Sequence, residues 1–370
     1  MRALKAEIAR RRDEGLEMLR RYISSHAFIH DDHWLGVHDD FDELSGHPLL
    51  LEAPLVVASR TGGTMAMARE TVLTPGISPL AELAGSIEVM NHVARTIADQ
   101  HLDISAFYAD RAELSTLSNV AARFGYRPRI HPSPELFRKH SSHMFNLNLL
   151  KRFEGFPRSL VASTLAQARE FFEELDDGYG VYVKRTDSRS VRAINVGGVE
   201  RYATAEGLPI LLQSARKNRG TAVFQWIQDG SKARPLFVTF QVESESHHIG
   251  NKYTREFENE FFNRFEDTID SWMSIIPRWT GPIAVDAILP INGSSPIAVD
   301  LNARFNSSTI PIGQALLAGH FSDLEYRRWD TPPTALHPGE SMQFGQSLAG
   351  SDSVSFSLTE LRGSTPLEAL

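Results

Sequence analysis

One hairpin constrains this chain more than any other stretch. It runs from Gly281 to Ser308 and reads GPIAVDAILPINGSSPIAVDLNARFNSS. Ile283 to Leu289 is apolar on both faces except for Asp286, a pattern that predicts a buried strand. Residues 290–295 carry Asn292-Gly293, a turn signal when it falls between apolar runs. A second strand is expected over Pro296 to Leu301, bringing Asp300 and then Asn302 and Arg304. An acid inside a buried strand is costly unless something pairs with it. A hairpin that sets two acids and an amide side by side makes an all-oxygen site. Such a site suits Mg²⁺, with water and phosphate oxygens completing the shell. The plainer alternative is a hairpin whose two aspartates are simply solvated.

Composition narrows the classes. The 370 residues suffice for two or three domains. A formal net charge of −8 argues against a dedicated nucleic-acid binder. The chain has no cysteine, so disulfides, thiolate nucleophiles and Cys-ligated metals are excluded, as suits a cytoplasmic protein. No apolar run reaches the roughly 18 residues of a spanning helix, so no membrane partner is expected. The opening MRALKAEIARRRDEGLEMLRRYI is charged throughout and reads as a helix rather than a signal peptide. Its stripe of Leu4, Ile8, Leu16, Leu19 and Ile23 predicts one buried face.

Residues 26–44 crowd four His and five Asp together, with a spacing that fits no compact metal site. They read as a solvated acidic loop, able to line a substrate entrance. Pro54 to Ser59 reads as a buried strand. A Gly62-Gly63 turn and a helical MAMARE follow it. Helices are expected over Ile87 to Ile97 and Ala112 to Phe124. Strands are expected over Asp103 to Tyr108 and Tyr126 to His131. The alternation argues for a parallel sheet. Further on, a helix is expected over Ala166 to Leu175, strands over Val181 to Lys184, Thr221 to Ile227 and Leu236 to Val242, and a long helix over Glu256 to Ile276. Ser353 to Leu358 reads as an edge strand.

Asp-x-Asn-x-Arg at the end of an apolar strand, with a small-residue run after it, resembles the metal-and-phosphate strand of the ATP-grasp superfamily. VDLNARFNSS is especially similar to the matching segment of carbamoyl-phosphate synthetase large subunits. The resemblance covers roughly residues 140–320. It implies an N-terminal α/β pre-ATP-grasp domain followed by a two-lobed ATP-grasp fold, α/β and α+β in class. The divisions are 1–45 for the helix and acidic loop, 46–138 for the α/β domain, 139–228 for the small lobe and 229–370 for the large lobe. Asp286, Asp300 and Asn302 would hold Mg²⁺, with Mn²⁺ as a substitute. Arg304 and Lys184 would be the catalytic cations on the phosphates. Ser188 and Ser190, with Arg189 and Arg192, would line the phosphate loop. Lys139, His140 and His143 stand near the phosphate-contacting helix start. The strand with Gln225, Trp226 and Ile227 would meet the adenine and Asp229 the ribose. Two departures stand out. Asp300 replaces the commoner Glu, and the loop 186–192 has no glycine.

The implied activity is an ADP-forming carbon–nitrogen ligase of small-molecule biosynthesis. It would activate a carboxylate as an acyl phosphate and couple it to an amine. Both partners would be small molecules, and a homodimer is compatible. A phosphotransferase or a catalytically weak nucleotide-binding scaffold are the alternatives.

Overall fold

The computed structural model describes residues 2–29, 53–59, 70–74, 79–106, 109, 111–140, 142–175, 179–184, 190–244, 247–305, 308–317, 319, 323–329, 341–349 and 352–360. The Gly62-Gly63 turn, the greater part of the His/Asp-rich stretch, and loop residues Ser188 and Arg189 lie outside them.

The first unit is a parallel sheet. Helix α1 (Arg2–Ser24) leads into β1 (His26–Ile29), which is flanked by β2 (Leu55–Ser59) and β4 (Asp103–Ala106). With β3 (Glu70–Thr74) and β5 (Ile130–His131) the order is β3-β2-β1-β4-β5. Ala27, Ile29, Ile104 and Ala106 point to one face. There they bury the apolar stripes of α3 (Ile87–Gln100) and α4 (Ala112–Arg123), with Val93, Ile97, Leu114 and Leu117 fully enclosed. Two readings need correction. His26 to Ile29 is a buried central strand, not the start of a solvated loop. Four residues beginning with His are too short a run for periodicity to register. Glu70, read as the end of a helix, opens a strand.

The second unit is the small lobe. Helices α5 (Pro134–His140) and α6 (His143–Leu150) precede four antiparallel strands in the order β6-β9-β7-β8: β6 (Ser159–Ala162), β9 (Ile210–Ser214), β7 (Val181–Lys184) and β8 (Ser190–Ala193). Val181, Val183, Ile210 and Leu212 pack on α7 (Leu165–Glu173) and α8 (Val196–Glu206). Strand alternation then turns Tyr182, Lys184, Leu211 and Gln213 to the opposite face.

The large lobe is an antiparallel sheet of eight strands in the order β14-β13-β10-β11-β12-β15-β17-β16. Its strands are β10 (Asn218–Gly230), β11 (Lys232–Ser244), β12 (His247–Tyr253), β13 (Trp279–Pro290), β14 (Ile297–Asn302), β15 (Leu324–Trp329), β16 (Ser341–Ala349) and β17 (Asp352–Glu360). On one face Phe224, Trp226, Val238 and Val285 bury the aromatic stripe of α9 (Arg255–Arg264) and α10 (Glu266–Met273). That stripe, read as one helix over 256–276, breaks at Phe265, which ends α9 and starts α10 with no side-chain cap. On the other face Ile227 and Phe237 meet α11 (Thr309–Leu317) and, from the far end of the sequence, α1. β10 belongs to this sheet, and residues 215–217 link it to β9 of the four-stranded sheet. Ser353 to Leu358 lies in β17, which is paired on both sides and is no edge. Among the described residues, no helix is long and apolar enough to cross a membrane.

Helix α1 is held by more than its apolar stripe. The buried Arg12 guanidinium donates to Glu258 on α9 at 3.0 Å, and Tyr253 donates its hydroxyl to the same carboxylate at 3.0 Å. Gly15 sits where the helix touches β11. A Cβ built there would lie 2.0 Å from the Pro235 carbonyl oxygen, an atom the sheet holds in place. Gly15→Ala should therefore destabilise the protein by about 1–3 kcal/mol in urea unfolding, as overpacking does. Helix propensity alone predicts the opposite sign.

Candidate active site

The site is built on the β13–β14 hairpin. Its turn closes with Gly293 at φ +68°, a conformation that glycine adopts without strain, and the Gly293 amide donates to the Pro290 carbonyl at 3.0 Å. Arg264 donates to the Gly293 carbonyl from α9. This turn fixes the register that puts Asp286 directly opposite Asp300 and Ala284 opposite Asn302, with a bulge just past Asp286. Two carboxylates thus face each other across a partly buried strand pair.

Their electrostatics diverge. Burial first, and then the like charge of Asp300, push the Asp286 carboxyl well above the ordinary carboxylate range. Lys184, Arg304 and a hydrogen bond from Asn302 offset only part of this. Burial acts on Asp300 in the same direction, but the Lys184 ammonium and His143 outweigh it and hold Asp300 below the usual range. Lys184 Nζ lies 3.8 Å from Asp300 Oδ2 and His143 Nδ1 lies 3.4 Å from Asp300 Oδ1. Asp286 Oδ1 is sealed from solvent and has no hydrogen-bond partner among the described residues. An unpaired buried carboxylate oxygen beside an all-oxygen donor set fits a hard divalent cation.

Each side chain arrives from a different element. Lys184 ends β7 and is 6% exposed, reaching out of the small lobe to the hairpin of the large one. Arg304 follows β14 where the chain leaves the sheet, close enough to act on Asp286 and donating to the Phe305 carbonyl at 3.2 Å. His143 is the first residue of α6, after a Ser142 cap that accepts from the Phe145 amide. Asn146, one turn on, donates to the Leu301 carbonyl at 3.0 Å and the His140 carbonyl at 2.8 Å, fastening α6 to β14. Of the three residues weighed at this helix start, His143 is the one that reaches the carboxylates. Lys139 pairs with Glu135, and His140 is buried against Asn146 and Trp279.

The residues expected around a nucleotide base do not join this group. Strand β10 is paired along its length with β11 and β13, so its backbone has no free edge to offer. Gln225 is fully buried and bonded to Ser308 and Thr309. Trp226 stacks on Phe224 within the core, and Ile227 packs toward α1 and α11. Asp229 sits at the β10–β11 turn, where its charge acts on Arg129. Apolar alternation says that a segment is sheet, not which sheet or which neighbours its side chains meet. Ser190 pairs with Lys184 across β7–β8, and its side chain is not described. Arg192 donates to the Tyr179 carbonyl. What the sequence reading passed over are Tyr182, Leu211 and Gln213, which share the Lys184 face. Their signal was the period of two counted back from Lys184 and carried across to β9.

No protein-family model and no curated protein sequence matches this chain. Solved structures match it in fold. Carboxyaminoimidazole ribonucleotide synthase from Aspergillus clavatus, complexed with ATP, superposes with a TM-score of 0.61 at 14% identity, over 91% of this chain and 94% of its own. N5-carboxyaminoimidazole synthetase from Staphylococcus aureus gives 0.60 at 11% identity, over 91% and 93%. L-amino acid ligase from Bacillus licheniformis gives 0.54 at 13% identity, over 90% and 93%.

The raised Asp286 carboxyl has a consequence for stability. A carboxyl that holds its proton more tightly when folded binds more protons than its unfolded counterpart in the window between the two pKa values. Stability therefore falls as pH rises through that window. Asp286→Asn removes the penalty. The metal-free variant should be more stable than wild type at about pH 8, on the order of 1–2 kcal/mol, with the gain shrinking toward about pH 4. Urea unfolding at the two pH values checks this.

Proposed function

From the premise that this chain has the ATP-grasp fold of those solved structures, we propose that it is an ATP-dependent ligase that joins a small carboxylate to an amine, releasing ADP and phosphate. The observation that carries the reading is the convergence of one cation from the small lobe and the acids, amide and arginine of the large lobe. Lys184 approaches Asp300 across the cleft, and Asp286, Asn302 and Arg304 stand beside it. ATP would lie between the hairpin and the small-lobe face that carries Tyr182, Lys184, Leu211 and Gln213. Its base would be directed toward the crossing at 215–217.

Asp286, Asp300 and Asn302 are the residues that would hold Mg²⁺. When bound, the ion supplies charge neutralisation on the phosphate oxygens. Lys184 orients the phosphates as a point charge. Arg304 offers a planar fork for the transferring phosphoryl group. His143, at the start of α6, holds Asp300 ionised. The substrate carboxylate attacks the γ-phosphorus, the bond to the ADP oxygen breaks, and an acyl phosphate forms. The amine then attacks the acyl carbon, phosphate leaves with the bonding pair, and the nitrogen gives up one proton to the departing phosphate. The protein supplies position and charge, and no side chain need become covalently attached.

The test is ADP release by purified protein over pairs of carboxylates and amines, with Mg²⁺ and with Mn²⁺. Release that needs both an acid and an amine supports the ligase. Failure to bind ATP by calorimetry overturns it. Lys184→Ala should lower ATP affinity about tenfold or more, the loss of one charge-assisted contact of about 1.5–3 kcal/mol. An unchanged dissociation constant would remove Lys184 from the site. Arg304→Lys should lower kcat more than ATP affinity, because its fork matters most as charge shifts onto the transferring phosphoryl group. Side-by-side kcat and binding measurements separate this from a surface role, in which neither changes.

A further inference from the structure

A second cluster of ligand-type side chains lies far from the hairpin in sequence, on the opening edge of the parallel sheet. His26 starts β1 and Asp103 starts β4, and the two are register partners. Ser105, two residues on from Asp103 and so on its face, is the register partner of His131 on β5. Strand geometry therefore puts His26, Asp103 and His131 on one face, the one that the end of α1 covers. His26 is 5% and Asp103 6% exposed. One ligand atom from each residue lies within 4.8 Å of the others, and His131 Nε2 stands 3.5 Å from Asp103 Oδ2.

The hydrogen bonds settle how His26 presents itself. Its Nδ1 lies 2.6 Å from the Tyr22 carbonyl oxygen. A carbonyl can only accept, so Nδ1 carries the proton and Nε2 the lone pair. A second contact, 3.0 Å to Ser25 Oγ, is compatible with that assignment. Among the described residues His26 Nε2 has no hydrogen-bond partner, and the carboxylate of Asp103, at 3.5 Å, is what His131 Nε2 faces; both nitrogens are sealed from solvent. Leaving such nitrogens unsatisfied is costly, and buried polar atoms without partners call for an occupant.

We propose that His26, Asp103 and His131 bind a divalent transition-metal ion of the zinc class, at a site distinct from the carboxylate–amide group of the hairpin. Two imidazoles and one carboxylate form a set that zinc accepts with a fourth position open. Bonds of about 2.0–2.2 Å imply ligand separations of roughly 3.4 Å in a tetrahedron, which the His131–Asp103 edge already matches. The Nδ1–H to carbonyl bond of His26 is the outer support that metal-bound imidazoles use. Asp103 Oδ1 accepts from the Tyr126 hydroxyl at 3.0 Å and the Arg129 amide at 2.8 Å, contacts that an ion on Oδ2 leaves intact. Oδ2 also accepts from Arg129 Nε at 3.0 Å and lies 2.8 Å from Nη2. The Arg129 side chain is 78% exposed, so it can swing away into water.

The place suits a brace. Tyr22 stacks on His26 at 3.8 Å, donates its hydroxyl to Ser105, and approaches Phe305 beside the hairpin. An ion here would tie β1, β4 and β5 together directly beneath α1.

The test uses tag-free, chelator-stripped full-length protein carrying Asp300→Asn, which weakens metal binding at the hairpin. Zn²⁺ is titrated by calorimetry, with X-ray absorption to read the ligand shell. The expected result is one equivalent of Zn²⁺ with imidazole scattering and a raised unfolding temperature. His26→Gln and His131→Gln should each weaken binding by about a hundredfold or more and abolish the thermal shift. If those variants do not fold, the ligand shell of the Asp300→Asn protein decides alone, and two imidazoles support the site. No bound zinc, which would leave a bridging water as the occupant, overturns the proposal. So does an all-oxygen shell, or histidine variants that bind as tightly as the parent.

Discussion

Two carboxylates held opposite each other on a hairpin set the terms for the rest of this molecule. Asp286 and Asp300 are register partners, and they cannot move apart without undoing the strand pairing on either side. The surroundings answer with cations from two other places. Lys184 comes from the end of a small-lobe strand and Arg304 from the exit of β14. The two lobes therefore meet as opposite charges at this point. A helix start adds His143, and Asn146 locks that helix to the strand that carries Asp300. The hairpin on its own would be strained by its charges, and the architecture around it is what makes that arrangement tolerable.

How far the sequence spoke depended on whether a signal was local. The hairpin was legible because turn, apolar runs and misplaced acids all fall within thirty residues or so, and each has a physical meaning by itself. Lys184 was legible for the same reason, as a charge closing a buried strand. Pairing partners were not. Thr221 to Ile227 reads as a strand in any context. Only the fold places it at the centre of the eight-stranded sheet, with Gln225 spent on Ser308 and Thr309. His143 was one of three plausible residues until the packing of α6 on β14 chose it. His26 was hidden inside a stretch whose acids suggested solvent, although strand pairing buries it.

The three units are also less separate than their order in the chain implies. The face of the parallel sheet turned away from α3 and α4 shares one continuous core with α1, α11 and the middle of the large-lobe sheet. Phe28 of β1 lies within reach of Phe305, three residues past Asn302, at 5.9 Å between ring centres. Mechanical continuity between the first domain and the hairpin thus runs through a few aromatic rings.

The seat of α1 carries a cost during synthesis. Most partners of its apolar stripe lie far along the chain. Leu16, Leu19 and Ile23 wait for Phe237 and then for Ile312 and Leu316. Synthesis must pass α11 before that stripe can be fully covered. Contacts of such long range close late, and the surface they cover stays adhesive until then. The Arg and Glu residues that ring the helix, several paired within one turn of each other, keep it in solution meanwhile. The nascent chain thus carries its first helix as an amphipathic segment in need of shelter for most of its translation.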